Sequence, residues 1–238
     1  MNNTVTLYLI PTVLTEGTAP EVLPAGVIQA LQTLDVFFVE NVRTARRFIS
    51  SLKIGKRIDE ITFHELHKDT PREETRKKLG ELHTDAGIIS EAGVPCVADP
   101  GSIAVGLAHE LGYRVKPLVG PSSILLALMG SGFTGQSFSF HGYLPIDRAE
   151  RAKTLRHLEK EAAQSGQTQI FMETPYRNNQ MLQTIMEVCQ PATSLCIAAN
   201  LTGGNELMQT RSVAQWRKGT PDINRQPAIF LIGVREQI

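Results

Sequence analysis

Short apolar runs alternate with amphipathic stretches along the chain. The runs Val5–Ile10 and Val36–Val39 are rich in β-branched and aromatic residues, which predicts strands buried on both faces. Between them, Ala25–Thr33 follows Pro24, a residue suited to the first turn of a helix. From Thr44 to Ser51 the apolar residues share one side, which predicts another helix.

The same alternation continues to the end of the chain. Further strands are predicted at Ile61–Phe63, Ala86–Ser90, Arg114–Val119, Ser137–Phe140, Thr168–Glu173, Ser194–Ala199, Leu207–Thr210 and Ala228–Gly233. Further helices are predicted from Thr70 to His83 and at Ile103–Leu111, Ser122–Met129, Arg148–Ala163, Asn179–Val188 and Ser212–Trp216. Strands that alternate with helices in this way predict an α/β fold with mostly parallel strand pairing.

Cap and turn residues predict where elements begin, end and separate. Thr70, Pro71 and Glu73 form a predicted capping box, and Gly130 is the predicted end of a helix. The turn Gly120-Pro121 is the predicted domain boundary, with domains at 1–119 and 120–238. Because no long linker separates them, we expect the two domains to pack closely and form a cleft.

Composition excludes several classes of protein. Of the 238 residues, 42% are hydrophobic, and 24 basic residues balance 24 acidic ones, which argues against disorder and against a polybasic binder. No apolar run reaches the roughly 20 residues that span a bilayer, and no basic leader opens the chain, so we expect no membrane association. Three cysteines without a CxxC pair predict a reducing, cytoplasmic environment.

Three predicted strands end in loops suited to ligand binding. The loop in Gly87–Gly101 contains small residues and two prolines, where main-chain groups can approach a ligand, although a rigid connection explains the same pattern. In Val119–Ser123 a predicted helix begins, and its free N–H groups can bind a ligand. An ordinary N-cap by Ser122 is the alternative interpretation of this segment. In Phe171–Arg177 the default interpretation is an ion pair between Glu173 and Arg177.

Several chemistries lack their motifs. The chain has no GxGxxG after its first strand, no GxxxxGK[ST] and no GxSxG, which argues against dinucleotide oxidoreductases, P-loop kinases and serine hydrolases. The pair in His64-Glu65-Leu66-His67 has the wrong spacing for a zinc protease, so no metal site is predicted.

Basic residues concentrate in the first half of the chain. No acidic residue interrupts the stretch between Asn41 and Ile58, which contains Arg43, Arg46, Arg47, Lys53, Lys56 and Arg57. Such a stretch is usually a solvated helix face, and the alternative is a face that contacts phosphates.

An ordered set of motifs resembles the tetrapyrrole (corrin/porphyrin) methylase superfamily of S-adenosylmethionine-dependent methyltransferases. The matching pieces are Ser90-Glu91-Ala92-Gly93-Val94-Pro95, Asp99-Pro100-Gly101, Gly120-Pro121-Ser122, Gly132-Phe133, Gly142-Tyr143-Leu144-Pro145 and Glu173-Thr174-Pro175-Tyr176-Arg177. Within the superfamily, the chain is most similar to the bacterial branch that methylates a cytidine ribose 2′-oxygen in small-subunit ribosomal RNA.

The resemblance implies two α/β domains with the cofactor S-adenosylmethionine in the cleft between them, a homodimer, and ribosomal RNA or the small ribosomal subunit as partner. By position, the family's cofactor contacts fall on Ser90, Glu91, Ala92, Gly93, Val94, Val97, Ser122, Ser123, Met172, Leu201 and Ala228. A ribose hydroxyl needs a proton acceptor, for which Glu40 and His64 are candidates, while Arg43 is a candidate to hold a phosphate or to pair with Glu40.

The chain departs from that branch near the expected substrate. Pro11-Thr12-Val13-Leu14 replaces Thr-Pro-Ile-Gly-Asn, Glu40-Asn41-Val42-Arg43 replaces Glu-Asp-Thr-Arg, and Ala199-Asn200-Leu201-Thr202-Gly203 replaces Arg-Glu-Leu-Thr-Lys. In the cofactor loop, Glu91 stands where the branch has Asp. Two alternatives to RNA methylation therefore stay open: methylation of a tetrapyrrole or another small molecule, and a non-catalytic cofactor-binding scaffold.

Overall fold

The computed structural model describes residues 4–234, which divide into one compact unit ending at Ser122 and a second beginning at Ser123. The strands are β1 Thr6–Ile10, β2 Val36–Val39, β3 Thr62–Glu65, β4 Ala86–Ile89, β5 Arg114–Pro117, β6 Phe138–Tyr143, β7 Thr168–Met172, β8 Ser194–Ala199, β9 Leu207–Ser212 and β10 Ala228–Gly233. The helices are α1 Ala19–Val22, α2 Ala25–Thr33, α3 Val42–Ser51, α4 Arg72–Gly80, α5 Gly101–Glu110, α6 Ser123–Ser131, α7 Arg148–Ser165, α8 Asn178–Val188 and α9 Val213–Trp216.

The first unit is built on a parallel sheet of five strands in the order β3-β2-β4-β1-β5. Helices α2 and α3 cover one face, where Val27, Leu31 and Ile49 join the core around Phe37. Helices α4 and α5 cover the opposite face around Phe38. The chain therefore leaves β1 and β4, which are neighbours, toward opposite faces, and this reversal opens a crevice at their carboxyl ends.

The second unit contains a mixed sheet of five strands in the order β6-β7-β10-β8-β9. Only β6 and β7 pair in parallel, whereas β10 is antiparallel to β7 and β8, and β8 is antiparallel to β9. The prediction of mostly parallel pairing is wrong for this unit. The loop from β8 to β9 holds no crossover helix, so the chain reverses and pairs in the antiparallel sense.

The predicted α/β class is confirmed, and most elements lie within a few residues of their predicted bounds. The capping box at Thr70 is wrong because the N-cap of α4 is Pro71, and the Thr70 hydroxyl instead accepts a hydrogen bond from the N–H of His67 at 2.8 Å. Gly130 does not end its helix, since α6 continues to Ser131. None of the helices within residues 4–234 combines the length and the apolar character that a membrane crossing requires.

Candidate functional site

Three loops at the carboxyl edge of the first sheet are held together through Gly93. Its carbonyl accepts hydrogen bonds from the N–H of Thr12 at 2.9 Å and from the hydroxyl of Ser90 at 2.6 Å. A Cβ at Gly93 would lie 2.8 Å from the carbonyl oxygen of Pro121 and 2.9 Å from a methyl group of Leu14. The loops that follow β1, β4 and β5 therefore form one closely packed main-chain surface.

The loop after β4 keeps an unusual backbone beyond Gly93. Cys96 and Ala98 have φ values of 68° and 60°, in the left-handed region that non-glycine residues seldom adopt. The Asp99 carboxylate accepts a hydrogen bond from the N–H of Gly101 at 2.7 Å, which holds the loop against the start of α5. Strained positions of this kind persist only where the surroundings impose them, and they cluster at functional sites.

Three carboxyl groups meet at this edge. Partial burial and the charges of Asp99 and Glu91 raise the pKa of Glu40, partly offset by a hydrogen bond from the main-chain N–H of Glu91 and by the charge of His67. Partial burial also raises the pKa of Glu91, partly offset by a hydrogen bond with Thr44, and raises the pKa of Asp99, partly offset by main-chain N–H groups. The edge therefore places proton-accepting groups beside the loop that the sequence singled out.

The three candidates for the reaction itself, Glu40, His64 and Arg43, have different surroundings in the structure. Glu40 directly follows β2 at the carboxyl edge. His64 lies within β3 and tilts its ring against Phe38 at 5.1 Å, and burial and the charge of Lys78 lower its pKa. Arg43 is exposed on α3, and within residues 4–234 it forms no ion pair with Glu40.

Of the three charges that act on Glu40, Glu91 is a predicted cofactor contact, whereas Asp99 and His67 are not among the residues selected from the sequence. Asp99 raises its pKa and His67 lowers it. Asp99 lies in the motif Asp99-Pro100-Gly101, so the sequence does give a signal for its presence in a strand-end loop. The position of His67, one residue beyond Leu66 after β3, depends on the strand order and was not evident from the sequence.

A cavity of about 430 Å³ opens beside this edge, between the loop after β1, α3 and the loop after β4. Apolar and small residues contribute most of its wall, with carboxyl, hydroxyl and guanidinium groups among them. Its lining residues are Thr12, Val13, Leu14, Glu16, Gly17, Ala19, Pro20, Thr44, Ala45, Arg47, Phe48, Ser51, Ser90, Glu91 and Ala92. Of the residues predicted to contact a cofactor, Ser90, Glu91 and Ala92 line it.

The second unit brings three predicted cofactor contacts to one edge of its sheet. Met172 ends β7 and pairs with Ile229, while Ala228 begins β10 and pairs with Ala199 at the end of β8. Leu201 follows two residues after Ala199. Its neighbours Asn200 and Thr202 both have positive φ, at 49° and 68°, so the backbone around Leu201 is strained.

Polar atoms at the same edge are buried without partners in the described chain. The Glu173 carboxylate accepts hydrogen bonds through Oε1 from the N–H of Thr174 and from Arg177, both at 2.6 Å. Its Oε2, the Nε of Arg177, the Oδ1 of Asn178 and the Oγ1 of Thr202 have no partner. The ion pair between Glu173 and Arg177 is therefore present, and it leaves hydrogen-bonding capacity unused.

The remaining predicted contacts lie at the boundary and along the cofactor loop. Ser122 is buried at the end of the first unit. Ser123 begins α6. Just beyond the other end of this helix, Phe133 packs against Gly233 at the carboxyl end of β10. Ser123 therefore lies toward the opposite end of β10, where Ala228 begins the strand. Further along the cofactor loop, Val94 is half-buried and Val97 is exposed.

Residues 4–234 contain no group of three or more His, Cys, Asp or Glu side chains arranged to hold a metal ion. The first unit instead presents closely packed main chain and partly buried carboxyl groups at the carboxyl edge of an open parallel sheet. These features are typical of α/β proteins that bind a small molecule at their strand ends.

The sequence comparison identifies the family. The model of the family described as Tetrapyrrole (Corrin/Porphyrin) Methylases matches residues 17–215. The chain belongs to this family, which confirms the resemblance and the type of α/β fold that it implied. The cofactor cleft that the resemblance also implied stays a prediction.

Individual relatives agree with this assignment. The protein named Ribosomal RNA small subunit methyltransferase I from Micromonospora olivasterospora is 35% identical over 205 residues, covering 84% of this chain and 61% of that protein. The protein of the same name from Vibrio cholerae serotype O1 is 29% identical over 212 residues, covering 88% of this chain and 69% of that protein. This chain thus spans only about two thirds of the length of these relatives.

Among solved structures, the uroporphyrin-III C-methyl transferase from Thermus thermophilus, complexed with S-adenyl homocysteine, has the same fold. Its TM-score to this chain is 0.55 at 16% sequence identity, and the match covers 96% of this chain and 97% of that one.

Proposed function

We propose that the protein is an S-adenosylmethionine-dependent methyltransferase that methylates a ribose 2′-oxygen in small-subunit ribosomal RNA. The observation that carries the proposal is the loop after β4, which has the family's motif and is held by Gly93 against two neighbouring loops. Relatives named for ribosomal RNA methylation support the acceptor, and a structural neighbour complexed with S-adenyl homocysteine supports the cofactor.

The residues present fit such a cofactor. Unpartnered buried oxygens of Glu173, Asn178 and Thr202 lie beside strand ends that the resemblance assigns to the cofactor, and they suit the amino and hydroxyl groups of an adenosyl compound. The residues proposed to hold it are Ser90, Glu91, Ala92, Gly93, Val94, Val97, Ser122, Ser123, Met172, Leu201 and Ala228. When bound, the cofactor supplies an activated methyl group on its sulfonium sulfur.

The protein's own contribution is to orient the acceptor and to take its proton. Orientation of the reacting groups is worth up to roughly 7–11 kcal/mol, and a general base adds about 10²–10⁴-fold. We assign the base to Glu40, because it lies at the carboxyl edge and its raised pKa brings it nearer to neutral pH. His64, packed against Phe38, is the weaker alternative, and Arg43 is assigned to a phosphate.

Calorimetry with S-adenosylhomocysteine tests the cofactor proposal. In Gly93→Trp and Ser123→Trp, the new ring occupies the proposed cofactor surface, so binding should be lost. Gly219→Trp is the matched control, because a Cβ at Gly219 would meet nothing within 4 Å. Wild-type affinity in folded Gly93→Trp and Ser123→Trp proteins would refute the placement.

Transfer of labelled methyl groups identifies the acceptor. The purified protein is incubated with labelled S-adenosylmethionine and a lysate of cells that lack it, and the label is separated into RNA, protein and small molecules. Label in small-subunit RNA is the expected result. Label in a tetrapyrrole fraction contradicts the RNA proposal, and binding of the cofactor without any transfer favours the non-catalytic scaffold.

We also propose that the protein is a cytoplasmic homodimer. Large apolar side chains stay exposed in the second unit, among them Met129 at 78%, Ile146 at 69% and Tyr143 at 58%, and contact with a second copy would cover them. Cys96, Cys189 and Cys196 are all free thiols, as a reducing cytoplasm favours. Light scattering coupled to size exclusion tests the dimer, and a monomeric mass at micromolar concentration refutes it.

A further inference from the structure

The basic stretch of the sequence divides into two parts in the structure. Lys56 has its partners within the fold, because its ammonium lies 2.6 Å from the carboxylate of Asp35 and donates a hydrogen bond to the carbonyl of Leu34. Arg57 pairs with Glu60 at 2.6 Å. Lys56 and Arg57 therefore have acidic partners within the fold, and Lys53 is the exposed cation of the second part that has no ion-pair partner within residues 4–234.

The first part of the stretch keeps its charge available. Arg43, Arg46 and Arg47 are exposed and occupy positions i, i+3 and i+4 of α3, opposite the buried side of that helix. Arg46 lies over the ring of Phe63 at 5.6 Å, and Arg47 approaches only the exposed Glu16, at 3.9 Å. Within residues 4–234, Arg43 has no ion-pair partner.

The cavity beside α3 adjoins these arginines. Arg47 lines its mouth, Phe48 contributes an aromatic ring to its wall, and Leu14 adds apolar surface. Its volume of about 430 Å³ exceeds what a single nucleobase needs. Aromatic rings beside guanidinium groups are the combination that binds unpaired nucleotides, since the ring stacks on a base and the guanidinium pairs with phosphate.

We propose that α3 and the adjoining cavity bind unpaired RNA, with neighbouring phosphates on Arg43 and Arg47 and one unstacked base in the cavity against Phe48. This inference rests on the proposed function and adds to it the surface that recognises the acceptor. The cavity shares Ser90, Glu91 and Ala92 with the proposed cofactor contacts, and the rest of its lining belongs to α3 and to the loop after β1.

Glu91 gives the cavity a preference among bases. An ionised carboxylate accepts hydrogen bonds and cannot donate them, so its partner on a base is an exocyclic amino group. Glu91 lines the cavity and bonds to Thr44 of α3. We expect a base with an amino group, such as cytosine, to bind better than uracil, which presents a carbonyl at the same position.

The salt dependence of RNA binding tests the arginine face. The ligand is a short single-stranded oligonucleotide, and the variant is Arg43→Gln with Arg47→Gln. Each phosphate contact with single strands contributes about 0.7 to the slope of log affinity against log salt, so the slope should fall by about 1.4. Between about 50 and 200 mM salt, the wild type should then lose about sevenfold more affinity than the variant.

Lys153→Gln with Arg156→Gln is the matched control, because these exposed cations at i and i+3 of α7 give the same change in charge. An unchanged slope in the α3 variant, or an equal fall in the control, overturns the arginine face. The proposal also fails if the α3 variant loses binding to assembled small subunits and keeps wild-type binding to naked RNA, because the surface then contacts a ribosomal protein.

Phe48→Leu tests the cavity, since it keeps an apolar side chain and removes the stacking face. Affinity for a cytosine oligonucleotide should fall roughly 5- to 150-fold, the range that loss of base stacking produces. Wild-type protein should prefer the cytosine oligonucleotide to the uracil one, and Glu91→Gln should reduce that preference. Equal binding of the two oligonucleotides by the wild type overturns the assignment of the cavity.

Calorimetry with S-adenosylhomocysteine separates this inference from the proposed function. If Phe48→Leu keeps wild-type cofactor affinity and loses RNA affinity, the cavity is an RNA site. If it loses cofactor affinity, the cavity belongs to the cofactor and the inference is wrong. A wild-type protein that binds no cofactor refutes the proposed function. If RNA affinity and its salt dependence are unchanged in all α3 variants, only the inference is refuted.

Discussion

Gly93→Ala should destabilise the first unit, because the residue joins three loops. Gly93 has a φ of 70°, and the added methyl group would lie 2.8 Å from the carbonyl oxygen of Pro121 and 2.9 Å from Leu14. The oxygen belongs to the main chain, so the contact is relieved only if the loop after β4 or the loop after β5 moves. Movement of the loop after β4 would also disturb the hydrogen bonds from Thr12 and Ser90.

The expected loss of stability has two parts. An alanine in the left-handed region costs about 1–2 kcal/mol. Insertion of a methyl group into a closely packed site costs about 1–3 kcal/mol more. We therefore expect Gly93→Ala to lower the free energy of unfolding by roughly 2–5 kcal/mol.

Gly112→Ala separates the cost of the left-handed backbone from the cost of the close contact. Gly112 has a nearly identical φ of 74°, and an added methyl group there would meet nothing within 4 Å. Urea denaturation should give a loss of about 1–2 kcal/mol for this control. Calorimetry should show weaker binding of S-adenosylhomocysteine by Gly93→Ala alone. If the two variants lose equal stability, the contact between the loops after β4 and β5 is not as close as described, and the reasoning is refuted.

Two further predictions concern the buried carboxyl group of Glu173 and the partly buried one of Glu40. Glu173→Ala should lower the free energy of unfolding by about 3 kcal/mol in urea denaturation, because it leaves Arg177 without its partner. The control is Glu187→Ala, which breaks an exposed ion pair with Arg148. Equal losses of stability in the two variants would contradict the prediction. Because the pKa of Glu40 is raised on folding, its contribution to stability is present at low pH and is lost as pH rises through the folded pKa. Urea denaturation at pH values from below the unfolded pKa of Glu40 to above its folded pKa should therefore show Glu40→Gln gaining stability relative to wild type as pH rises. A difference in unfolding free energy that does not change with pH would contradict the sign of the pKa shift.

The fold of the first unit could be predicted from the sequence because its local signals agree with its tertiary structure. The apolar run Val36–Val39 is buried on both faces of a parallel sheet, and its predicted and observed bounds coincide. In the second unit the apolar run Ala228–Gly233 is equally buried, yet its strand is antiparallel to both neighbours. A continuous apolar run reports burial on both faces, and it carries no information about the direction of the neighbouring strands.

The candidate site was predictable where it depends on the main chain. Gly93 can be recognised in a sequence, since a required glycine in a strand-end loop indicates a positive φ or a close approach. The roles of side chains were less accessible. Glu40 follows β2, as the sequence predicts, and its role stays a prediction. Its neighbours Asp99 and His67 come from other strand ends, so their position depends on the order of the strands in the sheet.

The basic stretch shows why charge along a sequence does not define a binding surface. Arg43 and Lys56 contribute equally to the charge of the sequence, but the structure gives Lys56 the carboxylate of Asp35 and main-chain carbonyls as partners. A cation with internal partners must give them up to bind phosphate, so its gain from a new contact is small. Within residues 4–234, Arg43 has no ion-pair partner to give up. Most of the available charge of the stretch therefore lies on the part of α3 that adjoins the cavity, where one nucleotide strand can make both a phosphate contact and a base contact.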